Sequence, residues 1–478
     1  MKRLMETMAL GWTRLGTRFL PFADAATPRL PLGRLLRLAG LQVSVGMATA
    51  LLLGTLNRVM IVELGVAAWI VALMVAIPIV IAPLRAVIGW RSDHHRSFLG
   101  WRRVPYIWLG TLVQFGGLAI MPFALLILSG DAHGPAWIGQ AGGALAFLLV
   151  GAGLQTTQTA GLALAADLSD EKTRPRVVAL MYVMLLLGMV ASGFAFGLLL
   201  DDFSAMRLIQ VVQGAAVLTM GINLLALWKQ EPRDPHRGES APPRPPFAEC
   251  WSRFTQGRRA TRFLAAVGLG TAAFSMQDII LEPYGAQILH LGVGATATLT
   301  ALVATGSLAA VALAARRLAR GTDPFRLAAQ GVLAGILAFA AVVFADPLES
   351  SLVFRVGVVL IGFGGGLFYV GLLTAAMALD TKEMRGLALG AWGAVQAFAA
   401  GAAVALGGAL RDTVAGLAQQ GVLGPALEGP AIGYSFVYHL EIALLFATLV
   451  VLGPLVRSSG AGRRAPPPTA FGLAEFPG

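Results

Sequence analysis

The sequence predicts an all-α polytopic membrane protein with twelve transmembrane helices arranged as two six-helix halves, on three observations. The first is composition. Of 478 residues, 56% are apolar and 13% charged, and mean hydropathy is +0.73; a soluble chain typically carries about twice that share of charge. The second is spacing: twelve apolar runs recur along the chain, each near the ~20 residues a helix needs to cross about 30 Å of hydrocarbon. The third is an internal repeat. Gly151 to Asp167 reads GAGLQTTQTAGLALAAD, and Gly364 to Asp380 reads GGGLFYVGLLTAAMALD, an offset of 213 residues. Both copies run from an apolar helix to an acidic residue and then a charged turn. Leu64-Gly65-Val66 likewise recurs as Leu291-Gly292-Val293, with an offset of 227.

The predicted spans are 38–62, 65–88, 104–129, 137–164, 177–200, 207–228, 262–288, 295–315, 327–345, 351–378, 386–409 and 434–456. An even number places both termini on one side. Of the 36 lysines and arginines, 32 fall in the terminal segments and connections of that side, so both termini are expected in the cytoplasm. The net charge of +11 is then topology, not a nucleic-acid footprint. Residues 1–33 interleave Met1, Leu4, Met5, Met8, Leu15 and Phe19 with basic residues, a pattern suited to the membrane interface and kept in the mature chain. The first half runs over 34–228 and the second over 262–456. A proline- and arginine-rich cytoplasmic linker, 229–261, joins them, and a proline-rich tail, 457–478, is expected to be disordered. Cys250 is the only cysteine, which excludes a disulfide framework and thiolate metal clusters.

The connection between spans 2 and 3 reads GWRSDHHRSFLGWRR over 89–103. Gly89, Asp93, Gly100, Arg102 and Arg103 resemble the loop motif of the major facilitator superfamily, with a longer stretch between Asp93 and Gly100. Together with the duplication, this resemblance implies the major facilitator fold, with a central cavity between the halves. Gly89 permits close helix approach, and Asp93 can face the positive end of a neighbouring helix near Gly386. The same loop also obeys the positive-inside rule.

Three longer strings narrow the resemblance: LNRVMIVELGV (56–66), SDHHRSFLGWRRVPYIWLGT (92–111) and MQDIILEPYGAQIL (276–289). They are similar to the PucC/LhaA, or bacteriochlorophyll-delivery, family of that superfamily. The likeness extends from about Leu32 to the end of span 12, and FLPFADAATPRLPLGRLLRL (19–38) resembles the LhaA type. The resemblance implies a membrane assembly factor for photosynthetic light-harvesting complexes in purple bacteria, with core light-harvesting 1 favoured over light-harvesting 2. It implies bacteriochlorophyll a as a bound or transferred ligand. Expected partners are antenna polypeptides, the reaction centre–core antenna complex, bacteriochlorophyll synthase and membrane lipids. The expected location is the inner or intracytoplasmic photosynthetic membrane.

Read from the residues themselves, span 7 carries the sharpest chemistry. Asp278 lies 16 residues beyond Arg262, or roughly 24 Å along a helix, and Glu282 is one turn further on the same face. A charge at that depth costs about 2.5–3.5 kcal/mol on the lenient scale, so it requires a partner, water or a proton. Arg58 in span 1 and Arg355 in span 10 are the candidate partners. An ion pair clamping the halves, a proton-linked or binding role, and extension of Glu282 to the interface are the three readings. Pro283 can kink the span and leave the Ile279 carbonyl without its usual donor. Gln277, Tyr284 and, in span 4, Gln155, Thr156, Gln158 and Thr159 are candidate cavity or pigment contacts; bonding between helices is their plainer role.

A magnesium tetrapyrrole takes an axial ligand, most often histidine in antenna proteins. His94, His95, His133 and His236 fall in connections, leaving His290 and His439 as possible pigment ligands near membrane depth. His439 with Glu441 is expected to face outward from span 12. Gly362, Gly364, Gly365 and Gly366 are expected to interrupt span 10, either packing helices closely or leaving a groove. There is no GxxxxGK[ST] loop, no histidine–glutamate metal motif and no nucleophile with a base nearby in sequence, so an enzyme is not expected. Two readings remain: an assembly factor, and a proton-coupled secondary transporter of a tetrapyrrole or other amphipathic solute.

Overall fold

The computed structural model describes residues 30–80, 101, 103–128, 135–170, 173–231, 258–377 and 382–459. The residues 1–29, Gly89, Asp93, Gly100, Arg102, His94, His95, His133, most of the linker with His236 and Cys250, and residues 460–478 lie outside them. The described residues are helical with short connections and contain no strand. We number the helices α1 (Leu32–Glu63), α2 (Ala68–Val80), α3 (Val104–Leu128), α4 (Ala136–Leu168), α5 (Arg174–Leu199) and α6 (Ala205–Leu227). The second set is α7a (Arg258–Ser275), α7b (Gln277–Gln287), α8 (Val293–Ala319), α9 (Pro324–Ala345), α10 (Ser351–Met377), α11 (Lys382–Gln419) and α12 (Ile432–Ser459). Eleven described helices are long and apolar enough to cross a membrane, counting α7a and α7b as one; α2 is shorter where its description stops.

The helices carry many large apolar side chains on their outer surface. Leu198 is 81% exposed, Val450 76% and Leu352 71%, an arrangement that only a hydrocarbon surrounding makes favourable. A helix end leaves backbone donors that side chains can satisfy. Ser204 caps α6 by accepting from the Arg207 N–H at 3.1 Å, and Asp323 caps α9 by accepting from Phe325. The Glu231 carboxylate caps α3, accepting from the backbone N–H groups of Arg103 and Val104 at 2.9–3.1 Å. Arg34 reaches the same place, donating to the Gln230 side chain at 3.1 Å. The end of α6 is thereby tied to the starts of α1 and α3.

Each six-helix set packs mainly within itself, and the two meet along the α2–α11 and α5–α8 seams. The repeat relates α2 to α8, so the seams occupy equivalent places. Small residues make both: Gly408 lies against Ala68 and Ala72, and Gly193 and Gly197 lie against Ala301, Gly294 and Thr298. Asp412 of α11 accepts the backbone N–H of Trp69 at 2.9 Å, closing the first turn of α2 across the seam.

Three expectations are corrected, and one feature was not expected. The glycines of span 10 do not interrupt it, because α10 runs unbroken and Gly362 is a contact point that meets the backbone of Val303 on α8, where Gly306 in turn meets that of Val359. Span 11 extends ten residues past its expected end, so Arg411 lies on a helix and not in a connection. Span 7 is divided at Met276, seven residues before Pro283. Span 1 contains two π-helical stretches, Ala50–Leu56 and Val59–Glu63, which no glycine or proline pattern foretold.

The packing predicts a contrast between two glycines. Gly362→Ala drives a methyl into backbone and should destabilise the protein by about 1–3 kcal/mol. Gly416, with nothing within 4 Å of an added Cβ, should tolerate alanine within about 0.5 kcal/mol. Unfolding midpoints in one detergent give both values.

Candidate functional site at the divided helix

Division of α7 frees a backbone donor inside the membrane, and the site is organised around it. The N–H of Gln277 does not continue the helical ladder; it donates to Glu441 Oε1 of α12 at 2.7 Å. Glu441 is fully buried, so the expectation that it faces outward beside His439 is wrong. From the other side, Asn57 Nδ2 of α1 donates to the Asp278 carbonyl at 3.0 Å and to its own Leu53 carbonyl at 3.0 Å. Gly407 of α11 lies against the Met276 carbonyl, too close for any side chain. Helices α1, α11 and α12 therefore brace the break together.

The candidate acids have different surroundings. Asp278 is half-buried and accepts from the Gln277 side-chain amide. Glu282 is only 4% exposed, and its Oε1 accepts from Thr300 Oγ1 of α8 at 2.8 Å. It does not extend to an interface, because Gly54 of α1 closes over its carboxyl group. Neither expected cation pairs with these acids directly. Arg58 is buried and binds Glu63 Oε1 through Nη1 at 2.5 Å. Arg355 is exposed on α10 and pairs with neither acid. Among the described residues, the buried oxygens Asn57 Oδ1, Gln277 Oε1, Glu282 Oε2 and Glu441 Oε2 find no donor, and Arg58 Nε finds no acceptor.

Tyr284 is not a cavity residue. It is 2% exposed, donates to the Val342 carbonyl at 3.1 Å and packs between the rings of Phe354, Tyr434 and Tyr438 at centroid distances of 5.4–5.6 Å. Gln277 is likewise buried. Beyond the aromatic cluster, Arg411 donates to Gln287 Oε1 at 2.6 Å and to the Tyr434 hydroxyl at 2.9 Å, and binds Asp412 at 2.7 Å. This network holds the end of α7b to α11 and α12.

Elsewhere, Thr156 spends its hydroxyl on the Ala152 carbonyl at 2.8 Å. Thr159 is buried, and Gln155 and Gln158 are half-buried. Of the expected gate residues only Arg103 lies among the described residues, and its Nε binds Asp167 Oδ2 of α4 at 3.1 Å. His290 is exposed with φ 53°, in the left-handed turn that ends α7b, where the Leu291 N–H reaches back to the Gly285 carbonyl at 3.0 Å. His439 is exposed, with Nδ1 2.7 Å from the Ser435 carbonyl. That contact assigns the proton to Nδ1 and leaves the Nε2 lone pair facing away from the bundle.

Comparison with known proteins decides the lineage. The family model for the PUCC protein matches residues 55–460. The chain belongs to the PucC family. It is 54% identical to the PucC protein of Rhodovulum sulfidophilum, over 87% of this chain and 92% of that protein. It is 53% identical to a protein from the puhA-bchM intergenic region of Rhodobacter capsulatus, over 100% of this chain and 99% of that one. A bacteriochlorophyll synthase 44.5 kDa chain of Rhodobacter capsulatus is 27% identical over 90% of this chain and 97% of its own length. Among solved structures, a bacterial homologue of the human lysosomal transporter Spinster superposes with a TM-score of 0.66 at 15% identity, covering 91% of this chain and 98% of that one. The nucleoside transporter NupG (D323A mutant) gives 0.63 at 14% identity, over 87% and 99%. These likenesses bear out the major facilitator fold.

The Glu441–Gln277 contact predicts a graded response. Glu441→Gln keeps an acceptor and should cost less than about 1 kcal/mol. Glu441→Leu leaves the Gln277 donor unpaired and should cost about 1–3 kcal/mol. Denaturant titration of the detergent-solubilised protein measures both.

Proposed function

We propose that this protein is a non-enzymatic membrane assembly factor for photosynthetic light-harvesting complexes. It delivers bacteriochlorophyll, chaperones antenna polypeptides, or does both, during assembly of the core light-harvesting 1 ring. The observation that carries the reading is likeness to PucC proteins over almost the whole chain, joined by the relative named for bacteriochlorophyll synthase. The interior supports it too. Gln277, Glu282 and Tyr284, which a solute pathway would need accessible, are sealed into packing and hydrogen bonds. The reading places the protein in the inner or intracytoplasmic membrane with both termini cytoplasmic. Its partners are antenna polypeptides, the reaction centre–core antenna complex, bacteriochlorophyll synthase and membrane lipids.

Bacteriochlorophyll a is the cargo in this proposal. Among the possible ligands, His439 fits its magnesium better than His290. Its Nδ1 is held by Ser435, its Nε2 is free, and it lies beside the exposed ring of Phe436. His290 is committed to a helix-ending turn.

The transporter fold and the half-buried Asp278 favour the second reading, proton-coupled movement of a tetrapyrrole or other amphipathic solute. Asp278→Asn separates the two. Under the assembly reading it leaves antenna absorbance in native membranes unchanged; abolished proton-dependent uptake into vesicles, with the fold intact, would favour transport. Stoichiometric bacteriochlorophyll and antenna polypeptides should accompany the wild-type protein purified in mild detergent. His439→Phe should reduce bound pigment about tenfold or more, equivalent to ~1.4 kcal/mol or more, at equal protein yield. Unchanged pigment in that variant would remove His439 as a ligand.

A further inference from the structure

Among the described residues, the junction between α1 and α7b contains an orphaned guanidinium donor and an orphaned carboxyl oxygen. Arg58 uses Nη1 on Glu63, while its buried Nε has no acceptor. Glu282 uses Oε1 on Thr300, while its buried Oε2 has no donor. Gly54, one turn before Arg58, lies directly against the Glu282 carboxyl group, so Arg58 and Gly54 share the face of α1 that looks at α7b.

We propose that Arg58 exchanges carboxylate partners, from Glu63 within α1 to Glu282 on α7b, and that this exchange couples the two six-helix halves. Helix α1 is built for such a change. Asn57 and Arg58 sit between its two π-helical stretches, Ala50–Leu56 and Val59–Glu63. A π-turn carries one residue more than an α-turn, and such insertions cluster at functional sites. Moving the extra residue along α1 rotates the segment that bears Arg58 without breaking the helix. The present Arg58–Glu63 pair spans five residues, a separation that suits π-helical geometry; an α-turn brings residues three and four apart together. Relaxation of Val59–Glu63 toward α-helix therefore loosens this pair.

The surroundings favour Glu282 as the new partner. Asp278 and Glu441 are the other acids at the junction, and each is already engaged by Gln277. Glu282 has only a threonine hydroxyl. The acid left behind is also the one that tolerates it: the Glu63 side chain is 34% exposed, whereas Glu282 is buried. In the present state the pair is internal to one half. After the exchange it bridges the halves.

Pulsed electron–electron resonance in lipid nanodiscs tests this. Spin labels go on cysteines at Met206 and Leu348, which are 65% and 60% exposed, on different halves and outside the junction, in a Cys250→Ser background. Glu63→Gln should create a second inter-half distance as the major population. Adding Glu282→Gln should abolish that population and restore the wild-type distribution. A Glu63→Gln distribution identical to wild type would overturn the proposal, as would a second population that survives in the double variant. Should Glu63→Gln fold poorly, Glu63→Asp, which shortens the reach and keeps the charge, must shift the distribution in the same direction.

Discussion

One backbone N–H governs the centre of this molecule. In hydrocarbon an unpaired amide costs several kcal/mol, so a helix can be interrupted there only where another group takes the released donor. Glu441 does this for Gln277, Asn57 holds the adjacent Asp278 carbonyl, and Gly407 lets α11 approach the Met276 carbonyl. Three helices from distant parts of the sequence thus meet at one turn of α7. The aromatic cluster around Tyr284 and the Arg411 network continue the same support along α7b.

The rest of the architecture packs the two halves around that junction. Both seams between the halves have small residues at their closest approaches, so backbones touch there. Apolar burial alone gives little drive for helices to associate in lipid; close packing and polar contacts between helices supply it. The Asp412 cap on the Trp69 N–H of α2 is one such contact, joining the halves through a helix end.

Much of this was legible in the sequence, and the gaps have physical causes. The helical spans follow from hydropathy, since each expected span falls on a described apolar helix. Glu441 was misplaced because it and His439 are two residues apart on one helix and face different ways; hydropathy does not say which polar residue turns inward. The break at Met276 has no local signal, since its cause is a carboxylate 164 residues away from Gln277. Glu63 was overlooked as the partner of Arg58 because five-residue spacing is out of phase on an α-helix. Tyr284 looked like a cavity group because a tyrosine beside Glu282 and Pro283 suggests a polar pathway, whereas its hydroxyl serves the α9 backbone.

A double-mutant cycle between Asn57 and Glu441 tests the central claim, that the divided helix is one cooperative junction braced from α1 and α12. These residues share no direct contact in this account; each holds a different atom of the same break. Unfolding free energies of Asn57→Ala, Glu441→Leu and the double variant give the coupling. If one junction holds both, the second substitution acts on a break already relaxed, and the double variant loses less than the sum by more than about 0.5 kcal/mol. Additivity within about 0.3 kcal/mol would mean two independent contacts, and the junction would not be the unit described here.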